Sequence, residues 1–101
     1  VLLNNGWLGM VKQWQKLFWD KHYSQTELGD DPDFAAVARA YHAKGLTVER
    51  PGEVRDALKE AFACGETTIV DIHCDPEEDA LPMLPPNPQL GLVRGRCQFP
   101  Q

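Results

Sequence analysis

Val1-Leu2-Leu3-Asn4-Asn5-Gly6-Trp7-Leu8-Gly9-Met10-Val11-Lys12-Gln13-Trp14-Gln15 opens the chain and decides how the rest is read. A short apolar run meets two asparagines and a glycine, and then an amphipathic pattern begins. That order predicts a buried strand, a tight turn and a helix. In open α/β sheets, ligands sit at the carboxyl ends of strands, where such turns lie. A helix start adds free N–H groups and a partial positive charge, which suit an anion. An Asn side-chain carbonyl is a hard oxygen donor, suited to Mg²⁺ held jointly with a phosphate. Asn-Asn-Gly alone is equally an ordinary strand-ending turn with no ligand, so the weight falls on its surroundings.

Met10, Val11, Trp14, Leu17 and Phe18 recur at i, i+1, i+4, i+7 and i+8, an apolar stripe that fades near Asp20. Lys21 to Asp30 is a polar loop with turn chemistry. Asp31-Pro32 predicts a helix start, with Phe34, Val37, Ala38 and Tyr41 as its core face and Gly45 as its C′ residue. Leu46-Thr47-Val48 reads as a short strand. Pro51 opens a third helix, which buries Val54, Ala57, Leu58, Ala61 and Phe62 and closes at Gly65. Thr67 to Ile72 is rich in β-branched residues and reads as a buried strand. The alternation predicts an α/β fold: a parallel sheet with flanking helices, about three strands and three helices, joined by right-handed crossovers. From Pro76 onward, Pro82, Pro85, Pro86 and Pro88 predict an extended tail.

Composition narrows the function classes. The 101 residues are one domain at most, or a piece of one, and 43% hydrophobic with 25% charged is ordinary for a globular chain. A net charge of −5 and no basic stripe argue against nucleic acid or an anionic membrane as partner. No apolar run reaches the length of a membrane span, and no signal peptide is visible. Cys64, Cys74 and Cys97 form no C-x-x-C pair, so a reducing compartment is expected rather than a disulfide framework or zinc site. A cytoplasmic setting follows, or a plastid or mitochondrion in a eukaryote. The absence of an initiator Met and the start inside a strand suggest an excerpt of a longer chain.

One family accounts for the longer pattern. Asn4-Asn5, then Gly9-Met10-Val11, Gln13-Trp14-Gln15, Leu17-Phe18 and Tyr23-Ser24, resembles the large catalytic subunit of acetohydroxyacid synthase (acetolactate synthase). The likeness continues through Asp31-Pro32-Asp33-Phe34, Lys44-Gly45-Leu46 and Asp75-Pro76-Glu77-Glu78 to Leu81-Pro82-Met83-Leu84-Pro85-Pro86. It implies that residues 1–86 are the C-terminal half of a thiamine diphosphate-binding domain, while 87–101 form a divergent, irregular tail. By motif position, the Asn5 side chain and the Trp7 carbonyl would ligate Mg²⁺, and Gly6, Gly9 and Met10 would join them around the cofactor. Met10, Val11 and Trp14 match positions lining the substrate pocket. Burial of a Met–Trp pair at i and i+4 would favour 2-ketobutyrate over pyruvate as second substrate.

The resemblance also implies what lies elsewhere. The third metal ligand, an Asp in an upstream Gly-Asp-Gly, and the Glu that activates the cofactor are absent, so no catalytic residue is expected within these 101 residues. The implied whole protein condenses pyruvate with pyruvate or 2-ketobutyrate, with loss of CO₂, in branched-chain amino-acid synthesis. Its implied cofactors are thiamine diphosphate and Mg²⁺, with FAD in the full-length family. Its implied partners are the rest of its own subunit, further copies of itself and a regulatory subunit. Two other readings stay open: another thiamine diphosphate-dependent decarboxylase or carboligase, and a stand-alone, non-catalytic α/β module. This chain departs from the family at Trp7, usually a smaller or polar residue, at His22, commonly Arg, and at His73, usually apolar. His22, His42 and His73 are assigned no catalytic role, and no acid or nucleophile partner is expected for His42 or His73.

Overall fold

A computed structural model describes residues 1–29 and 32–83. The tail 87–101 lies outside the described residues, as do Asp30 and Asp31. Among the described residues, three strands form one sheet: β1 (Leu2–Asn4), β2 (Lys44–Val48) and β3 (Thr68–His73). Their spatial order is β1-β3-β2, and both pairings are parallel. Leu2 pairs with Asp71 and Asn4 with His73, while Lys44 pairs with Thr68 and Val48 with Ile72. Three helices accompany the sheet among the described residues: α1 (Gly9–Phe18), α2 (Phe34–Ala40) and α3 (Val54–Ala63), the last preceded by a 3₁₀ turn over Pro51–Glu53. The parallel α/β architecture, its element order and its element count are those expected from the sequence.

The central strand is the buried one. Val70 is 1% exposed, and Val48 on the neighbouring strand β2 is 2% exposed. With Ala35 and Ala38 of α2 they are the fully buried apolar residues among those described. β1 was expected to be buried, but it is an edge strand with a neighbour on one side, and Leu3 is 71% exposed.

Several packing expectations reverse for identifiable reasons. Helix α2 buries its small residues, whereas Val37 and Tyr41 face outward. Gly45, expected as a helix C′ residue, lies inside β2, and a Cβ there would come within 2.2 Å of the Ala35 carbonyl oxygen. Helix and strand therefore touch backbone to backbone. His42 takes the C′ position instead, at φ 57°. The Ala43 N–H reaches the Ala38 carbonyl at 2.9 Å and the His42 N–H the Arg39 carbonyl at 3.0 Å, a Schellman closure. The α2 N-cap is Asp33, not Asp31: its Oδ1 accepts the Ala36 N–H at 2.8 Å. In α3, Val54, Ala57, Leu58 and Ala61 are half-buried, but Phe62 is 85% exposed. An i, i+4 row turns about 40° per step, so two steps carry Phe62 off the face that Val54 occupies.

Helix α1 is turned over relative to its apolar stripe. Met10 (51%), Val11 (48%) and Trp14 (39%) are exposed, while Lys12 and Gln13 are buried. Those two polar side chains grip the segment Pro76–Met83, which crosses the helix as a strap. Lys12 Nζ lies 2.7 Å from the Pro76 carbonyl and 2.6 Å from Glu77 Oε1. Gln13 donates to the Ala80 carbonyl at 3.1 Å and accepts the Ala80 N–H at 2.9 Å. Lys16 pairs with Asp79 at 2.8 Å.

Candidate functional site

The carboxyl ends of the three strands frame a cleft of about 390 Å³. Asn4, Asn5 and Gly6 form one wall, and Thr47, Asp71 and His73 line the strand ends. Asp33, Gly29, Pro32 and Cys74 also line it, and among the described residues the lining contains no Lys or Arg. An anion would therefore need a cation beside it to sit against this wall.

The turn after β1 is built by side chain and backbone together. Asn4 Oδ1 accepts the Gly6 N–H at 3.0 Å, and Asn5 Oδ1 accepts the Trp7 N–H at 3.1 Å. These are two successive Asx turns, the local geometry Asn favours at chain reversals. Gly6 sits at φ +68°, where other residues are strained. The Gly6 carbonyl accepts Leu28 N–H at 2.8 Å and Leu8 N–H donates to the Thr26 carbonyl at 2.8 Å, tying residues 6–8 to 26–28. At Gly9 a Cβ would stand 2.8 Å from Asn5 Nδ2, so the glycine leaves the room that the Asn5 amide fills.

This turn suits the ligands the sequence suggests. Asn5 keeps a second lone pair on its side-chain oxygen. Among the described residues no hydrogen-bond donor is found for the Trp7 carbonyl. Helix α1 has no side-chain cap and no acid in its first turn. Its leading N–H groups stay available to an anion such as a diphosphate. The donor set is hard oxygen, fit for Mg²⁺.

The expected site residues divide into two places. Asn5 and Gly6 line the cleft, with Gly9 directly behind Asn5. Met10, Val11 and Trp14 stand apart on the exposed face of α1. Trp7 turns its ring inward to Lys12 Nζ, 4.3 Å from the ring centroid, and to Tyr23, 5.5 Å away edge-on. A cation over a ring face is favourable, so the departure at Trp7 is absorbed by Lys12.

Asp71 was not anticipated as a site residue. It is 2% exposed at the centre of the sheet, and its Oδ2 lies 3.4 Å from Asn4 Nδ2 and 3.7 Å from His73 Nε2. Contrary to expectation, His73 does have an acid beside it, although 3.7 Å exceeds a hydrogen bond. The sequence held the signal: a charged residue interrupts the β-branched run Thr68-Ile69-Val70-Asp71-Ile72. His22 is an exposed loop residue, with Nδ1 2.8 Å from the Trp19 carbonyl. Cys64 and Cys74 are free thiols, and Cys97 lies outside the described residues. Among the described residues no cluster of three His, Cys, Asp or Glu could hold a metal, and no helix is long and apolar enough to cross a membrane.

The sequence also matches known proteins. Residues 1–72 match the family described as thiamine pyrophosphate enzyme, C-terminal TPP binding domain. The chain is 42% identical over 89 residues to the probable acetolactate synthase large subunit of Methanocaldococcus jannaschii, covering 88% of this chain and 15% of that protein. It is 38% identical over 86 residues to the acetolactate synthase isozyme 2 large subunit of Escherichia coli K12, covering 85% of this chain and 16% of that one. It is 45% identical over 74 residues to the acetolactate synthase of Mycobacterium avium, covering 69% and 12%. The chain thus spans about 15% of the length of the curated relatives it matches.

Proposed function

The chain belongs to the thiamine pyrophosphate enzymes, within their C-terminal TPP-binding domain, and from that premise we propose that it serves an acetolactate synthase large subunit. The carrying observation is the Asn4-Asn5-Gly6 turn at the carboxyl end of β1, shaped around the Asn5 amide by Gly9 and leading into the uncapped helix α1. In this reading Asn5 Oδ1 and the Trp7 carbonyl hold Mg²⁺, and Gly6, Gly9 and Met10 border thiamine diphosphate. The first turn of α1 faces the diphosphate with its N–H groups. Thiamine diphosphate, when bound, supplies the electron sink that lets a 2-ketoacid lose CO₂.

The whole protein would condense pyruvate with a second 2-ketoacid, either pyruvate or 2-ketobutyrate. Met10, Val11 and Trp14 would meet that second substrate, and their exposure on α1 supports the role because the core does not use them. FAD belongs to the proposal for the full-length protein, and no residue of this chain is assigned to it. The same holds for the remainder of the catalytic subunit, further copies of it and a regulatory subunit. The relatives' shared name favours acetolactate synthesis over another decarboxylase of the class. The experiment is to express the full-length subunit carrying this chain, supply thiamine diphosphate and Mg²⁺, and assay acetolactate from pyruvate. Acetaldehyde or no product in place of acetolactate would overturn the reading.

A further inference from the structure

Asp71 is a carboxylate in the wrong place for folding alone. It occupies the middle of the central strand, between Leu2 of β1 and Thr47 of β2, with 2% of its surface exposed. Parallel strands buried on both sides are ordinarily apolar, and a buried charge is costly unless it is fully met. Here it is not fully met: Oδ1 has no hydrogen-bond partner among the described residues. Chains break local rules of this kind where function requires it.

What Asp71 does reach is the turn. Its Oδ2 takes the Asn4 Nδ2–H at 3.4 Å, and the other end of the same amide, Oδ1, takes the Gly6 N–H at 3.0 Å. The Asn4 side chain is therefore held at both ends, with its amide orientation fixed. Gly6 is the residue between Asn5 and Trp7, so the linkage runs from a rigid central strand into the segment carrying both proposed metal ligands. Asp71 is among the residues that line the cleft, and its second oxygen is buried without a hydrogen-bond partner among the described residues.

We propose that Asp71 is a positioning residue, whose buried carboxylate holds Asn4 and through it the turn that presents Asn5 and Trp7 to the metal. This inference rests on the metal-binding reading of Asn5. Groups that orient a metal's direct ligands typically cost 10–100-fold in affinity when removed.

The test is a calorimetric Mg²⁺ titration of the full-length protein with thiamine diphosphate present, run on wild type and on Asn5→Ala, Asp71→Ala, Asp71→Asn, Asn4→Ala and the Asp71→Ala/Asn4→Ala pair. Expected are a loss of about 10–100-fold for Asp71→Ala, a similar loss for Asn4→Ala and no further loss in the double variant. Asp71→Asn, which keeps an acceptor for the Asn4 amide, should recover most of the affinity. Thermal melts run alongside expose a purely structural role, which would move the melting temperature and leave Mg²⁺ affinity alone. If Asp71→Ala does not fold, Asn4→Ala reads the same linkage from its other end. Unchanged Mg²⁺ affinity in the folded variant, with Asn5→Ala impaired, overturns the role of Asp71. Unchanged affinity in Asn5→Ala overturns instead the metal site on which it rests.

Discussion

Gly9 and Asn5 occupy one another's space: a single methyl on Gly9 would lie 2.8 Å from the Asn5 amide nitrogen. The obstructing atom is the end of a side chain, so Gly9→Ala moves the amide and not the backbone. Alanine is also the better helix former by about 1 kcal/mol. Gly9→Ala in the full-length protein should therefore leave the melting temperature unchanged or raised, while weakening Mg²⁺ and thiamine diphosphate as Asn5→Ala does. Differential scanning calorimetry beside a cofactor titration separates the two effects. Undiminished cofactor affinity would show that the Asn5 amide is not held for a ligand.

Gly45 makes the opposite kind of contact. A Cβ there meets the Ala35 carbonyl oxygen at 2.2 Å, and that oxygen belongs to backbone. Neither helix α2 nor strand β2 can yield without separating. Gly45→Ala should lower unfolding free energy by about 1–3 kcal/mol or more, the cost of overpacking a tight interior. Urea denaturation measures it, and a change under 0.5 kcal/mol on that scale would mean that the two elements are not packed as described.

These two glycines also mark how much could be read beforehand. Periodicity and β-branched content sufficed for the element order and the parallel sheet, because α and β periods differ and crossovers have one hand. Asn5, Gly6 and Gly9 were legible as a turn and helix start with room for a ligand. Which face of a helix is buried was not legible, since a hydrophobic stripe says only that something apolar meets it. In α1 the meeting surface is not this sheet, and Lys12 and Gln13 turn inward to a strap that lies 64 to 70 residues later in the chain. The Gly45 contact was hidden for a related reason. A glycine after a helix reads as a cap until the distance to Ala35 is known. Asp71 stood out in its strand, but its link to Asn4 spans 67 residues, which no local pattern encodes.

The strap should respond to pH. Lys12 Nζ, 2.6 Å from Glu77 Oε1, holds the Glu77 carboxyl below its ordinary range, mainly through that hydrogen bond. A carboxylate with a lowered folded-state pKa stabilises fully above its unfolded value, about 4.3, and loses that contribution as pH falls through the folded value. Lys16 is shifted upward, chiefly by its hydrogen bond to Asp79, so its contribution is complete below about pH 10.4 and fades above the raised value. The strap should thus stay docked across neutral pH and loosen at both extremes. The Ala80 amide, bound by Gln13 Oε1 at 2.9 Å, is the reporter, and its NMR shift against pH is the measurement. Glu77→Gln should remove the acid limb and leave the alkaline one. A flat profile from pH 3 to 5 would mean that Glu77 does not hold the strap.

Trp14 offers a test of specificity. It lies one helical turn from Met10 on a face that the described residues leave uncovered. In the full-length enzyme, Trp14→Leu should reduce the preference for 2-ketobutyrate over pyruvate by about 1–2 kcal/mol, the range open to a difference of one methylene. Acetolactate formation should persist. Competition between the two ketoacids reads the ratio directly, and an unaltered ratio would remove Trp14 from the substrate pocket.

The 101 residues by themselves pose a different physical problem. The described fully buried apolar residues are Ala35, Ala38, Val48 and Val70, a small core for three helices and three strands. Against it stand Leu3 at 71% exposure, Trp19 at 58%, Tyr41 at 83% and Phe62 at 85%. Both outer strands, β1 and β2, have a neighbour on one side within the described sheet. Contiguous apolar surface beyond a few hundred Å² and open strand edges are both relieved by association. The isolated chain should therefore self-associate, most simply as a symmetric dimer that covers the Trp-bearing face of α1 or pairs an open edge. Thiamine diphosphate should bind it negligibly, because the 101 residues contain no Gly-Asp-Gly to complete the metal site. Sedimentation equilibrium and a calorimetric cofactor titration on the purified chain decide both points. A compact monomer at tens of micromolar would mean that this small core suffices, and clear cofactor binding would mean that Asn5, Trp7 and the start of α1 hold the diphosphate without further ligands.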